Sequence, residues 1–136
     1  MQNKSRIILD TNLWISFLIK KDFSKLDTLL FSRQAILVFS EELLLEFTTV
    51  IQRPRLKKYF SQSDIEAVFQ IIEEYADFIE VKTAAELCRD TKDNFLLSLA
   101  IDGRADYLIT GDNDLLDLKK AGNTQIITIT DFLKLE

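Results

Sequence analysis

Two apolar stretches of the sequence each lead into an aspartate. Arg6–Leu9 (RIIL) is followed directly by Asp10, and Tyr107–Thr110 (YLIT) is followed, one glycine later, by Asp112. Short apolar runs of this kind are typical of buried strands, and ligands of open α/β sheets bind beyond the carboxyl ends of such strands. Either aspartate alone is explained as a helix cap or turn residue. Two repelling carboxylates on matching strand ends instead favour a shared cation.

Two further acids can join this pair. Glu46 lies at the border of the apolar face of a predicted helix, between Leu43 and Val50, where an ordinary boundary carboxylate is also expected. Asp93 stands at the first turn of a strongly apolar helix, where an N-cap is the usual role of aspartate. Asp90 competes for the same position, but Asp93 meets the helix start directly. Four acids from four segments suit a hard cation, which prefers oxygen ligands.

The chemistry of such a site needs no histidine, and the sequence contains none. A divalent cation lowers the pKa of a bound water, orients it and screens charge that develops on a phosphate. The absence of histidine excludes Ser-His-Asp and Cys-His catalysis, histidine-ligated zinc and the acid–base chemistry of histidine ribonucleases. Cys88 is the single cysteine, which excludes an internal disulfide, and we expect a buried, inert thiol.

The charge balance argues against a broad basic surface. The chain has 17 basic and 22 acidic residues and a formal net charge of −5. One segment departs from this balance, because Arg53, Arg55, Lys57 and Lys58 follow one another closely and precede Tyr59. Such a cluster can follow a phosphate backbone. A solvated face is the ordinary role of a charge run, and the sequence alone favours that interpretation.

The elements that must position these residues alternate between strands and helices. This order predicts an α/β fold, with a parallel sheet of about four to five strands covered by helices on both faces. The strands are predicted at Arg6–Leu9, Ile36–Phe39, Phe78–Val81, Tyr107–Thr110 and Gln125–Ile129.

Capping residues and apolar spacing predict the helices between the strands. Ser40 is a good N-cap for the helix that carries Glu46, and Ser63 with Glu66 has the spacing of a capping box. Thr130 or Asp131 is expected to cap a short final helix, and Trp14 is expected in the core or an interface.

The length and composition predict one globular domain, spanning residues 1–136. Nearly half of the residues are apolar, with one proline and three glycines. No apolar run approaches the roughly 20 residues of a membrane-spanning helix, and the N-terminus has no signal-peptide pattern. A cytoplasmic location is therefore expected.

Four motifs, taken in order, resemble those of a PIN domain. They are ILDTN at residues 8–12, EELLLEF at 41–47, RDTKDNFLLSLA at 89–100 and ADYLITGDNDLL at 105–116. The resemblance extends from Ile7 to the last helix. It is greatest to the branch formed by the toxin components of prokaryotic toxin–antitoxin pairs.

The resemblance implies a three-layer α/β/α sandwich with endoribonuclease activity. It also implies a homodimer, an RNA substrate and neutralisation by a small antitoxin protein. The family's acids, which coordinate Mg²⁺ or Mn²⁺ and are catalytic, fall on Asp10, Glu46, Asp93 and Asp112, with Asp114 as a possible accessory ligand.

Three other interpretations fit less of the sequence. A phosphatase of the haloacid-dehalogenase kind resembles the first strand, but has a second aspartate where this chain has Asn12. A phospho-accepting receiver domain shares an acidic pocket but does not account for Glu46 or for Asp112. A catalytically silent docking module that binds a protein or RNA partner would retain the fold and the acids without their chemistry.

Overall fold

A computed structural model describes residues 5–32, 35–84 and 93–135. Cys88 and Asp90 lie outside these residues. The strands are β1 (Arg6–Leu9), β2 (Ile36–Phe39), β3 (Ala76–Phe78), β4 (Tyr107–Ile109), β5 (Lys120–Ala121) and β6 (Thr124–Ile127). The helices are α1 (Thr11–Lys20), α2 (Ser24–Asp27, continued by a π-helical turn at Thr28–Ser32), α3 (Glu41–Ile51), α4 (Pro54–Lys57), α5 (Gln62–Tyr75), α6 (Asn94–Asp102), α7 (Asn113–Leu116) and α8 (Ile129–Leu133).

The strands form one six-stranded sheet in the order β3-β2-β1-β4-β6-β5. All neighbouring pairs are parallel except β5 with β6. Helices flank the sheet, which confirms the α/β class and the three-layer α/β/α sandwich. The sheet has one strand more than expected because the chain doubles back at Gly122, whose φ of 58° suits glycine.

The strand order reverses at β1, and this reversal positions the site. β2 and β3 extend from one side of β1, whereas β4 and β6 extend from the other. Leu9 is in register with Ile109, and the Asp10 N–H donates to the Ile109 carbonyl at 3.2 Å. The residues that follow β1 and β4 therefore emerge side by side. In open parallel sheets this switch point is where ligands bind.

The core explains why the first strand reads as a continuous apolar run. Ile7, Ile8 and Leu9 are all buried, as expected for a central strand covered on both faces. Trp14 is fully buried, and its ring centroid lies 6.0 Å from that of Phe39, which confirms its prediction as a core residue. Within the described ranges, no helix is long and apolar enough to cross a membrane.

The predicted start of α5 was wrong by two residues. The capping box is formed by Ser61 and Asp64, not by Ser63 and Glu66. The Asp64 N–H donates to the Ser61 hydroxyl at 3.1 Å, and the Ser61 N–H donates to the Asp64 carboxylate at 3.2 Å. Both serines precede an acid by three residues. The short aspartate at the earlier position reaches back to the cap, which lets α5 begin at Gln62.

Other boundaries also differ from the prediction, since β4 ends at Ile109 and β6 spans Thr124–Ile127. β3 spans Ala76–Phe78 instead of Phe78–Val81, because its register pairs Phe78 with Phe39, the last residue of β2. The final helix is capped by Thr128, whose hydroxyl accepts the Asp131 N–H at 3.1 Å, and not by Thr130 or Asp131.

Candidate active site

A cleft of about 390 Å³ opens beyond the carboxyl ends of β1 and β4. Its lining combines residues that follow each of the two strands with one side of the first turns of α1. They are Asp10, Asn12, Leu13, Ser16, Gly111 and Asp112. The two aspartates that follow the apolar stretches therefore face one cavity, at the point where the strand order reverses.

Asp10 is a buried carboxylate at the N-cap of α1, with 5% of its surface exposed. Its Oδ1 accepts the Leu13 N–H at 2.9 Å, and its Oδ2 accepts the hydroxyl of Thr110. Burial raises the pKa of Asp10, and the charges of Asp112 and Glu46 raise it further, whereas the two hydrogen bonds oppose the shift. The carboxylates of Asp112 and Glu46 therefore both lie close enough to Asp10 for their charges to act on it.

Thr110 connects the two acids that follow the strands. Its hydroxyl donates to Asp10 and accepts the backbone N–H of Asp112 at 3.0 Å. The sheet holds Thr110 itself, because its N–H donates to the Ile127 carbonyl at 3.0 Å and its side chain is buried. One hydroxyl thus fixes the orientation of the Asp10 carboxylate and the path of the loop that carries Asp112.

Glu46 reaches the site from the second turn of α3. The hydroxyl of Thr11, a buried residue at the start of α1, donates to Glu46 Oε2 at 2.6 Å. α1 packs along α3, so this bond turns the half-buried carboxylate towards the N-terminus of α1, beside Asp10. The residue that follows Asp10 in sequence therefore positions a second acid.

Asp112 caps the short helix α7. Its Oδ1 accepts the Asp114 N–H at 2.9 Å, which also brings Asp114 next to the cleft. Gly111 precedes it in open space, since a Cβ added there would meet no atom within 4 Å. The cleft is consequently accessible between the end of β4 and the Asp112 carboxylate.

Asp93 occupies the N-cap position of α6, but its side chain makes no capping hydrogen bond. Its Oδ2 is buried, and α6 packs against α3, the helix of Glu46. The contacts described above bring Asp10, Glu46 and Asp112 together, and the part of Asp93 remains a prediction.

The donor set can be compared with the needs of a divalent cation. Across residues 5–32, 35–84 and 93–135, no three His, Cys, Asp or Glu side chains stand in a group ready to hold a metal ion. The chemistry of the donors nevertheless fits one. In these same residues Asp10, Glu46 and Asp112 bond to hydroxyl and amide groups, and no lysine or arginine pairs with them. Uncompensated carboxylates in a cleft are the ligands that Mg²⁺ prefers.

The sequence analysis missed two residues of the cleft. Asn12 and Ser16 lie one helical turn apart on α1 and line the cavity beside Asp10. Their i, i+4 spacing, which begins two residues after the helix cap Asp10, could have indicated that both lie on the helix face next to Asp10. Their amide and hydroxyl groups can hydrogen-bond to a phosphate or to water without adding charge.

The fold and the cleft define a three-layer α/β protein with an acidic site at its topological switch point. The family model described as PIN domain matches residues 6–114, and the chain belongs to the PIN-domain family. PIN domains are generally nucleases and typically use divalent metal ions. No curated protein gives a significant match. The matched residues include Asp10, Glu46, Asp93, Asp112 and Asp114.

Proposed function

We propose that this chain, acting as one domain over residues 1–136, is an endoribonuclease that hydrolyses RNA phosphodiester bonds with Mg²⁺ or Mn²⁺. One observation carries the proposal. The buried Asp10 carboxylate lines the switch-point cleft of a PIN fold together with Asp112, and the charge of Glu46 also acts on Asp10. No basic side chain compensates them within the described residues. Asp10, Glu46, Asp93 and Asp112 are the proposed metal ligands and catalytic acids, and Asp114 is an accessory ligand.

The protein holds the carboxylates of the site in fixed orientations before the substrate binds. Both oxygens of Asp10 are held, one by the Leu13 N–H and one by Thr110, and Thr11 holds one oxygen of Glu46. Acids whose orientation is fixed before the substrate arrives lose little freedom on binding. A bound cation would supply a Lewis acid for the phosphate oxygen and a water with a lowered pKa. Asn12 and Ser16 are placed to hydrogen-bond to the phosphate.

The proposed biological role is that of the toxin in a toxin–antitoxin pair, located in the cytoplasm. The resemblance of the four motifs to that branch of the family supports this role. The proposed partners are an antitoxin protein and a second copy of the chain.

Cleavage of pooled RNA by the purified protein tests this function. The reaction is run with Mn²⁺, with Mg²⁺ and with EDTA, for the wild type and for Asp10→Asn and Asp112→Asn. We expect metal-dependent cleavage that leaves 5′-phosphate ends and falls by at least about 100-fold in both variants, as when a group acting on the transition state is removed. Asp27→Asn is the matched control, because Asp27 is an exposed aspartate on α2.

Two outcomes would contradict the proposal. Cleavage that survives both substitutions would mean that the active site lies elsewhere or that the activity belongs to a contaminant. Folded wild-type protein that cleaves no RNA with either metal would favour the docking module.

A further inference from the structure

Four basic side chains project from one short stretch of this acidic protein. Arg53, Arg55, Lys57 and Lys58 lie on and beside α4, and all are exposed. We call these four residues the basic surface. Residues 53–60 contain no acid, although the whole chain has a net charge of −5. This stretch is therefore locally positive within an acidic chain.

Acidic side chains in the part of the chain that the structure describes do not pair with this charge. Within the described residues, none of the four side chains forms an ion pair, whereas Arg6 pairs with Asp77 at 3.0 Å and Lys21 approaches Asp64 at 4.0 Å. A purely solubilising role also fits poorly. In a protein of net charge −5, four added positive charges reduce the magnitude of the net charge, which weakens the repulsion that keeps molecules apart.

An exposed aromatic ring adjoins the basic surface. Tyr59 has 46% of its surface exposed, and the Lys58 Nζ lies 5.3 Å from its ring centroid. Cationic side chains beside an accessible aromatic ring are the combination that binds single-stranded nucleic acid, because the cations contact phosphates and the ring stacks on a base. A duplex does not offer the faces of its paired bases to such a ring.

Two helices connect this surface with the candidate active site. α3 carries Glu46 and ends at Ile51, two residues before Arg53, so about 8 Å of helix separate Glu46 from the end of α3. α1 begins at the cleft and is followed by Lys21, whose approach to Asp64 places it next to the first turn of α5. An RNA strand that lies along α1 and α3 therefore reaches both the cleft and the basic surface.

We propose that the basic surface and Tyr59 form a binding site for single-stranded RNA that is separate from the acidic cleft. This binding site holds the substrate RNA on one side of the bond that is cut. The inference rests on the proposed function for the identity of its ligand. The acids of the cleft repel phosphates unless a cation is bound, so a second site of opposite charge supplies the affinity that the cleft lacks.

Equilibrium binding without catalysis tests the proposal. Fluorescence anisotropy of a labelled single-stranded RNA is measured in EDTA over a series of salt concentrations. Wild type is compared with Arg55→Ala/Lys57→Ala and with Tyr59→Leu. We expect the double variant to bind at least about tenfold more weakly at low salt. Its slope of log K against log[salt] should be shallower by about 1.4, since each phosphate contact on a single strand contributes about 0.7.

Matched controls separate this site from general electrostatics. Lys120→Ala/Lys134→Ala removes two exposed lysines on β5 and after α8. It should leave the slope unchanged, and Tyr59→Leu should weaken single-stranded binding but not duplex binding. An unchanged slope in Arg55→Ala/Lys57→Ala, equal losses in the lysine control, or wild-type protein that binds no RNA at low salt would each overturn the proposal. Thermal unfolding verifies that the variants are folded.

The two proposals can fail separately. RNA binding that depends on the basic surface, without cleavage in Mg²⁺ or Mn²⁺, would support the binding site and remove the nuclease function. Metal-dependent cleavage with the same KM in wild type and in Arg55→Ala/Lys57→Ala would support the nuclease function and overturn the binding site.

Discussion

The Thr110 hydroxyl contacts both acids that follow the strands, so its removal tests how the site is held. In Thr110→Val the buried Asp10 carboxylate loses one of its two hydrogen-bond donors, and the Asp112 N–H loses its acceptor. We expect a loss of about 1–3 kcal/mol in the free energy of unfolding, the usual cost of leaving a buried polar group unsatisfied. RNA cleavage should fall as well. Urea unfolding and the cleavage assay measure the two effects.

Thr110→Ser is the control for this substitution. It keeps the hydroxyl and removes only a methyl group, so cleavage should largely be retained. Wild-type stability and activity in Thr110→Val would show that the hydroxyl does not position the site.

Asp10 gives a pH dependence whose sign follows from its environment. Burial and two neighbouring carboxylates raise its pKa above the value in the unfolded chain, so the folded protein binds this proton more tightly. The ionised group therefore destabilises the metal-free fold above its folded pKa, and this cost disappears as the pH falls towards the unfolded pKa. Asp10→Asn should be as stable as wild type or more stable at neutral pH in EDTA. Its advantage should shrink on acidification.

Urea unfolding in EDTA at neutral and at acidic pH measures this difference. The asparagine retains an oxygen that can accept the Leu13 N–H, so the cap of α1 is preserved. Asp27→Asn controls for the loss of a surface charge. A marked loss of stability in Asp10→Asn at neutral pH would identify Asp10 as a structural residue.

For individual residues, the sequence predicted some members of the site but not the hydrogen bonds that hold them. Asp10 and Asp112 could be paired because each follows an apolar run. The two bonds of Thr110 could not be foreseen, because they depend on the alignment of Leu9 with Ile109, two residues 100 positions apart. Glu46 was favoured only by the resemblance, since its bond to Thr11 depends on the packing of α1 against α3.

At the scale of elements, Gly103 marks a close approach between the end of α6 and the sheet. A Cβ at this position would lie 2.6 Å from Val38 Cγ1 and 2.8 Å from the Leu99 carbonyl oxygen. The carbonyl belongs to the backbone and cannot rotate away. Gly103→Ala should therefore lower the free energy of unfolding by about 1–3 kcal/mol, the usual cost of overpacking. Chemical denaturation measures this loss.

Gly111→Ala provides the comparison at the end of β4. No atom lies within 4 Å of the added Cβ, so its stability should match that of wild type. Equal stability of the two alanine variants would mean that α6 can shift away from β2 at little cost.

Boundaries of elements were predicted best where the cap and the apolar pattern agree. Ser40 caps α3 through the Leu43 N–H at 3.1 Å, as its sequence suggested. Ser61 and Ser63 compete as caps within four residues, and only the geometry of the chain after α4 decides between them. β5 has two residues and exists only by pairing with β6, so no local pattern could reveal it.

At the scale of the whole molecule, the alternation of strands and helices was sufficient to predict the fold class. The switch point at β1 was not contained in that alternation, because it depends on the chain placing β4 on the opposite side of β1 from β2. The arrangement of charge in space likewise depends on how the chain brings distant segments together. Its net value of −5 conceals an acidic cleft near Asp10 and a basic surface on α4, which are separate in space and opposite in sign.

This separation of charge predicts how divalent ions affect the stability of the whole fold. A cation that binds the folded cleft and not the unfolded chain stabilises the protein by mass action, by about 2.7 kcal/mol at 100 times its Kd. It also relieves the repulsion by Asp112 and Glu46, which adds to burial in raising the pKa of Asp10. Mg²⁺ or Mn²⁺ should therefore raise the Tm above its value in EDTA, with larger shifts at higher concentration.

Differential scanning fluorimetry over a metal titration measures this effect, with potassium chloride at equal ionic strength as the control for screening. Asp10→Asn and Asp112→Asn should lose most of the shift, whereas Asp27→Asn and the basic-surface variant Arg55→Ala/Lys57→Ala should keep it. If all variants gain the same increase in Tm, the ions act on the general negative charge and not on the cleft. A wild-type Tm that is identical in metal and EDTA would remove the cleft as a cation site.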